Sequence, residues 1–162
     1  MRLLSVFLSA LLFMGCDTFQ STGGLSGDDL TRQVQKDDFI LGIDETSVAD
    51  LKKQFAVFRI VNTSPKDKIF SFRSGCQFAF TLEWEDELLL DSREGIFCTA
   101  ALTSFTVQPG EKKEFNIDFD AARYSKRISD INIGSNRAGR YTLTAFLRDD
   151  QSPELSVKFV VK

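Results

Sequence analysis

The residues of this chain that could do chemistry are three cysteines and a set of scattered acids, and there is no histidine. Without histidine, Ser-His and Cys-His nucleophile pairs and the usual zinc ligand sets are excluded. Paired carboxylates could still act as acid and base in a hydrolase. The acids, however, lie at outward positions beside predicted strands; examples are Glu83, Glu85, Glu114 and Asp118. We therefore expect no enzyme, and neither a metal nor an organic cofactor.

Cys16 ends a stretch that is typical of an export signal. Residues 1–15 contain one charge, Arg2, and an apolar run of about a dozen residues, which is too short to span a membrane. A cysteine directly after the small Gly15 resembles the bacterial lipoprotein signal, which implies a lipid on Cys16; the alternative is an ordinary secretory signal cut nearby. An acid in the next position, here Asp17, resembles a signal for retention at the inner membrane. We expect a lipid-anchored protein of the bacterial cell envelope. The signal is compatible with either membrane and with either leaflet.

The other two thiols belong to the body of the chain. Once Cys16 is acylated, Cys76 and Cys98 allow one intramolecular pair in an exported protein. Cys76 is two and four positions before Phe78 and Phe80, and residues at such spacing share one face of a strand. Its side chain should therefore point inward if the strand that contains Phe78 and Phe80 extends back to it. A bond would close a loop of about 23 residues and contribute about 3 kcal/mol to the free energy of unfolding. We favour the disulfide over two separately buried thiols.

The strands that must position these groups follow from alternation of apolar and polar residues, which predicts half-buried antiparallel β-structure. After the lipidated cysteine and a polar tether (16–31), residues 32–162 predict one β-sandwich of about seven or eight strands. In "QPGEKK", Pro109 and Gly110 suit the two central positions of a turn. Residues 120–137 break the alternation and predict a short helix or a crossover loop. With a net charge of −3 and no basic cluster, the chain is not expected to bind nucleic acid.

Three stretches occur in an order that is similar to a known family. They are "FRIVNTSPKDKIFSFRSGCQFAFTLEW", "FCTAALTSFTVQPGEKKEF" and "GRYTLTAFL". From Phe55 to Val161 the chain resembles the intracellular proteinase inhibitor (BsuPI) family, whose members are small Ig-like β-sandwiches of bacteria. The resemblance implies an Ig-like antiparallel β-sandwich, and it implies inhibition of a proteinase.

Two functions are therefore considered. The first is a lipid-anchored, non-catalytic module of the cell envelope that binds a protein or has a structural role. Its partners would be the membrane, through Cys16, and a protease or another envelope protein. Loops that could contact a partner are residues 62–68, 91–95 and 132–140. A third hypothesis, carbohydrate binding, would need exposed aromatic side chains. It is disfavoured because Trp84, the one tryptophan, lies in register with core phenylalanines.

The second function is protease inhibition, as the resemblance implies. Inhibition in the manner of a substrate needs a rigid, protruding loop that fills the primary pocket of the protease, and rigidity lowers the entropic cost of binding. The stretch "DSREG" contains Ser92, Arg93 and Glu94, and Arg93 would suit a trypsin-like pocket. A Cys76–Cys98 bond would brace this loop.

Overall fold

The computed structural model describes residues 30–44, 56–94, 96–117, 119 and 138–162. These residues form ten strands: β1 (Arg32–Lys36), β2 (Phe39–Ile43), β3 (Ala56–Val61), β4 (Lys68–Phe72), β5 (Phe78–Trp84), β6 (Glu87–Asp91), β7 (Thr103–Val107), β8 (Lys112–Ile117), β9 (Gly139–Leu147) and β10 (Leu155–Val161). Within these ranges, no helix is long and apolar enough to cross a membrane.

The strands form three antiparallel sheets. Two of them have four strands, in the orders β1-β2-β3-β8 and β10-β9-β5-β6, and β4 pairs with β7 in a third. Side chains from all three sheets meet in one hydrophobic core. The expected all-β antiparallel sandwich is confirmed.

The core forms because one face of each strand is apolar. β9 and β10 show it most clearly, since every second residue is buried along both strands. Tyr141 and Phe159 are register partners, and their rings stack with centroids 5.4 Å apart. Burial of such side chains is the main force that holds the two strands to the core.

Phenylalanine rings link the sheets to one another. Phe78 of β5 contacts Phe58 of β3 and Phe115 of β8, with centroids 5.3 and 5.0 Å apart. Phe115 also contacts Phe105 of β7 at 5.9 Å. This aromatic cluster fixes β7 relative to β5, and the segment between these strands contains the candidate site.

Two of the ten strands were not expected, which explains the smaller predicted number. The β1 stretch "RQVQK" is polar and mostly exposed, and it is a strand because it pairs with β2 at a sheet edge. The β6 stretch "ELLLD" has consecutive leucines rather than alternation, and its pairing with β5 shifts register between Leu82 and Glu83. The predicted signal (1–15), Cys16, most of the tether and the segment 120–137 lie outside the described residues.

Candidate functional site: the loop between β6 and β7

The β6–β7 loop comprises residues 92–102, of which all but Gly95 are described. It begins at Ser92, which is only 4% exposed. The amide of Ser92 donates to the Phe80 carbonyl at 2.9 Å, and the Phe80 amide donates to the Ser92 hydroxyl at 2.8 Å. Ser92 therefore extends the β5–β6 pairing by one residue and attaches the start of the loop to the sheet.

Arg93, the expected anchor for a trypsin-like pocket, is bound within the domain. Its Nε and Nη2 donate to the carboxylate of Asp91 at 2.8 and 2.5 Å, and its guanidinium lies 5.5 Å from the centroid of the Phe146 ring. Hydrogen bonds from Arg93 lower the pKa of Asp91, which is the direction expected for a carboxylate paired with a guanidinium. The amide of Glu94 donates to the Asp91 carbonyl at 3.0 Å. Entry of Arg93 into a pocket would require the bidentate pair to break.

A disulfide between Cys76 and Cys98 attaches the middle of the loop to the segment before β5. The expected pairing is confirmed, and the Cα atoms are 5.3 Å apart. Nη1 of Arg148, which follows β9, donates to the Cys98 sulfur at 3.2 Å. The loop is thus joined covalently to one neighbouring segment and by a hydrogen bond to another.

Hydrogen bonds hold the second half of the loop. The Gly75 amide donates to the Thr99 carbonyl at 3.0 Å, and the Thr103 hydroxyl donates to the Ser74 carbonyl at 2.7 Å. Gln77 Nε2 donates to the Thr103 hydroxyl at 3.2 Å. A Cβ on Gly75 would lie 2.3 Å from the Thr99 hydroxyl oxygen, so the Thr99 side chain would have to shift to admit a side chain there.

Between these attachments the loop exposes apolar side chains. Phe97 is 101% exposed, Leu102 is 87% exposed and Ile96 is 38% exposed. Thr99, Ala100 and Ala101 are exposed as well. Sequence reasoning did not single out Phe97, because most phenylalanines of the chain occupy inward strand positions. The available signal was its place outside any alternating run, directly before a cysteine.

The predicted loop 62–68 has a structural explanation. Asn62 is fully buried, and its amide nitrogen donates to the carbonyls of Lys66 and Val107, both at 2.8 Å. Its amide oxygen accepts from the Ser64 amide at 3.0 Å. These bonds define the turn between β3 and β4 and tie it to the end of β7, so Asn62 is committed to the fold.

Of the predicted loop 132–140, only Ala138, Gly139 and Arg140 are described. Arg140 binds Glu85 at the β5–β6 turn, with its amide 2.8 Å and its Nη2 3.0 Å from the two carboxylate oxygens. The backbone hydrogen bond from Arg140, followed by the side-chain bond, lowers the pKa of Glu85. Trp84 Nε1 donates to the Ala138 carbonyl at 3.3 Å, and Trp84 packs against the core. This end of the sheet is thereby closed by internal contacts.

The acids of the described ranges do not gather into a metal site. Among the described residues, no three Cys, Asp or Glu side chains are grouped so that they could hold an ion. The β6–β7 loop combines exposed apolar side chains with firm attachment to the rest of the domain.

Comparison with known proteins gives one family. Residues 43–152, more than half of the chain, match the model of the family described as intracellular proteinase inhibitor (BsuPI). No curated protein matches the chain. Among solved structures, the chain is similar to a protein from Archaeoglobus fulgidus, with 13% identity over 80% of this chain and 90% of that one and a TM-score of 0.34. A likeness at this score carries no argument about fold or function.

Proposed function

The chain belongs to the intracellular proteinase inhibitor (BsuPI) family, and we propose that it is a non-catalytic proteinase inhibitor whose β6–β7 loop contacts the protease. One observation carries the choice of this loop. Its exposed residues lie between attachments at Ser92, Cys98 and Thr103, which bind it to β5 and to the segment between β4 and β5.

Such attachment matters because an inhibitor must resist turnover. A loop that is ordered before binding loses little conformational entropy when it enters a protease cleft. The residues that remain exposed, such as Phe97, Thr99 and Ala100, are the ones that a cleft could reach. Firm ends and an accessible middle are the requirements for inhibition in the manner of a substrate.

The test is a titration of the purified full chain, kept in a nonionic detergent, against subtilisin-like, chymotrypsin-like and trypsin-like proteases. Residual protease activity and the integrity of the chain are followed together. We expect stoichiometric inhibition of at least one protease while the domain stays intact. If all three proteases keep their activity at a several-fold excess of the chain, the proposal is contradicted.

A matched pair of variants tests the choice of loop. Ala100→Glu places a charge on the exposed loop, and Ile69→Glu places the same charge on β4, where Ile69 is 70% exposed. Only Ala100→Glu should weaken inhibition, because a buried unpaired charge in the complex is costly. Equal inhibition by both variants would show that the protease contacts a surface other than this loop.

We also propose that the inhibitor is anchored in the bacterial cell envelope by a lipid on Cys16. The sequence around Gly15 and Cys16 supports this, and so does the Cys76–Cys98 disulfide, since such bonds persist mainly in oxidising compartments. Labelling with palmitate in bacterial cells should mark the chain, and Cys16→Ala should abolish the label. A label that survives Cys16→Ala would refute the anchor.

A further inference from the structure

We propose that Phe97 is the residue that enters the primary specificity pocket of the protease, so that the target cleaves after large apolar side chains. This inference rests on the proposed function and adds to it the class of protease. It replaces Arg93 as the anchor, because the Arg93 guanidinium is already held by Asp91 whereas the Phe97 side chain is 101% exposed.

The exposure of Phe97 has a physical cost in the isolated protein. Transfer of a phenylalanine side chain out of water lowers the free energy, and most phenylalanines of the described residues lie in or against the core. Phe97 cannot follow them readily, because the disulfide at Cys98 fixes the adjacent backbone and Thr99 is bonded to Gly75. The hydrophobic gain of burying this ring is thus left for a partner, and an aromatic anchor with few rotatable bonds suits a deep apolar pocket.

The residues that follow Phe97 suit close approach by a cleft. Thr99, Ala100 and Ala101 are exposed and small. Small side chains let another backbone come near the loop without a clash. Leu102 is also 87% exposed, but it directly precedes β7, whose first residue Thr103 is bonded to Ser74, so it lies at the foot of the loop.

The disulfide gives the Phe97–Cys98 peptide bond a special position. This bond lies within the covalent ring that the Cys76–Cys98 disulfide closes. Hydrolysis would consume one water and give a carboxylate on Phe97 and a new amino group on Cys98. Cys98 would remain joined to Cys76, so the two new ends would stay on one molecule and the peptide bond could form again by loss of that water.

The experiment compares chymotrypsin, whose primary pocket is a hydrophobic slot, with trypsin, whose pocket has an aspartate at its base. The full chain in detergent is the inhibitor, and the variants are Phe97→Ala, Phe97→Arg and Arg93→Ala. Ile69→Ala is the control, because it removes a side chain that is 70% exposed on β4, outside the loop that is proposed to contact the protease. The melting temperature of each variant is measured first, and Phe97→Ala should leave it unchanged because the ring is exposed.

We expect chymotrypsin to be inhibited more strongly than trypsin. Phe97→Ala should weaken that inhibition about 10- to 100-fold, which corresponds to the loss of one buried aromatic side chain. Ile69→Ala should change it less than about twofold, and Phe97→Arg should shift the preference towards trypsin. On long incubation, any chain cut after Phe97 should gain the mass of one water and separate into two fragments only after reduction.

The outcomes separate the two proposals. If a protease is inhibited and Phe97→Ala leaves the inhibition constant unchanged, the role of Phe97 is refuted while the proposed function stands. The same holds if trypsin is preferred and Arg93→Ala abolishes its inhibition. If the unmodified chain does not inhibit chymotrypsin, the role of Phe97 is refuted, and the proposed function falls as well only if trypsin and the subtilisin-like protease also keep their activity.

Discussion

Replacement of both cysteines by serine, Cys76→Ser with Cys98→Ser, is expected to lower the free energy of unfolding by about 3 kcal/mol. The two residues are 22 positions apart in sequence, and a covalent ring of this size restricts the unfolded chain by about that amount in the chain-entropy model. For a domain of this size the melting temperature should fall by about 10 °C. Urea unfolding of the unmodified chain and the double variant at pH 7 gives the difference directly.

The same double variant should lose inhibition by more than its stability predicts. Without the covalent link, the loop on either side of position 98 must be ordered when it binds, and each immobilised side chain then costs about 0.5–1.5 kcal/mol. Inhibition should weaken about 10- to 100-fold at a temperature where the variant is still folded. Asn62→Ala is the matched control, because it destabilises the turn between β3 and β4 and leaves the β6–β7 loop attached.

Two results would refute this reasoning. A change in unfolding free energy below about 1 kcal/mol would mean that the ring adds little to the restriction of the unfolded chain. An inhibition constant that stays the same in the double variant and in Asn62→Ala would mean that the hydrogen bonds alone order the loop. A loss of inhibition common to both variants would show that it follows global stability rather than the attachment of this loop.

Three further predictions concern the scaffold. Asn62→Ala should cost about 2–3 kcal/mol of unfolding free energy, because the buried Val107 carbonyl and the partly buried Lys66 carbonyl lose their donor, while Ser64→Ala should cost less than about 1 kcal/mol; urea unfolding compares them. The pKa of Asp91 lies below its usual 3.8, so its ion pair stabilises the protein above about pH 4 and loses that effect as the pH falls through the lowered pKa. The difference in urea midpoint between the unmodified chain and Asp91→Asn should therefore shrink between pH 7 and pH 2.5, and a constant difference would contradict the shift. Gly139→Ala should lower the melting temperature more than Gly110→Ala, since a Cβ at Gly139 (φ 146°) would lie 2.4 Å from the Trp84 indole nitrogen and one at Gly110 (φ 77°) would contact nothing within 4 Å.

Much of the fold was predictable because burial alternates along most strands. The inward residues of β9 and β10 are those that the period of two indicates, and the Pro109–Gly110 turn forms with Gly110 at positive φ. β1 and β6 were missed because neither sequence alternates between apolar and polar residues. Each segment is a strand because it pairs with a neighbouring strand. The turn between β5 and β6 gave no signal either, since Glu85 and Asp86 take positive φ where glycine or asparagine is usual.

The candidate site was predictable only in its frame. The pairing of Cys76 with Cys98 followed from counting thiols, and it located a braced loop in the right part of the chain. Which side chain the loop presents could not be read from composition. Arg93 has the type of residue that suits a protease pocket, but its carboxylate partner Asp91 is two positions away, and only the folded turn brings the two groups together.

The arrangement of the β6–β7 loop is best understood as a balance between burial and attachment. A free loop with a phenylalanine would tend to fold that ring onto the protein, since this removes apolar surface from water. Here Ser92 and Thr103 fix the two ends by hydrogen bonds, and Cys98 fixes the backbone next to Phe97 by a covalent bond. Because a covalent bond is not exchanged for water, it opposes collapse more firmly than the hydrogen bonds do. In the proposed inhibitor the disulfide would have two roles, to stabilise the fold and to keep Phe97 available to the protease, and the double serine variant should lose both.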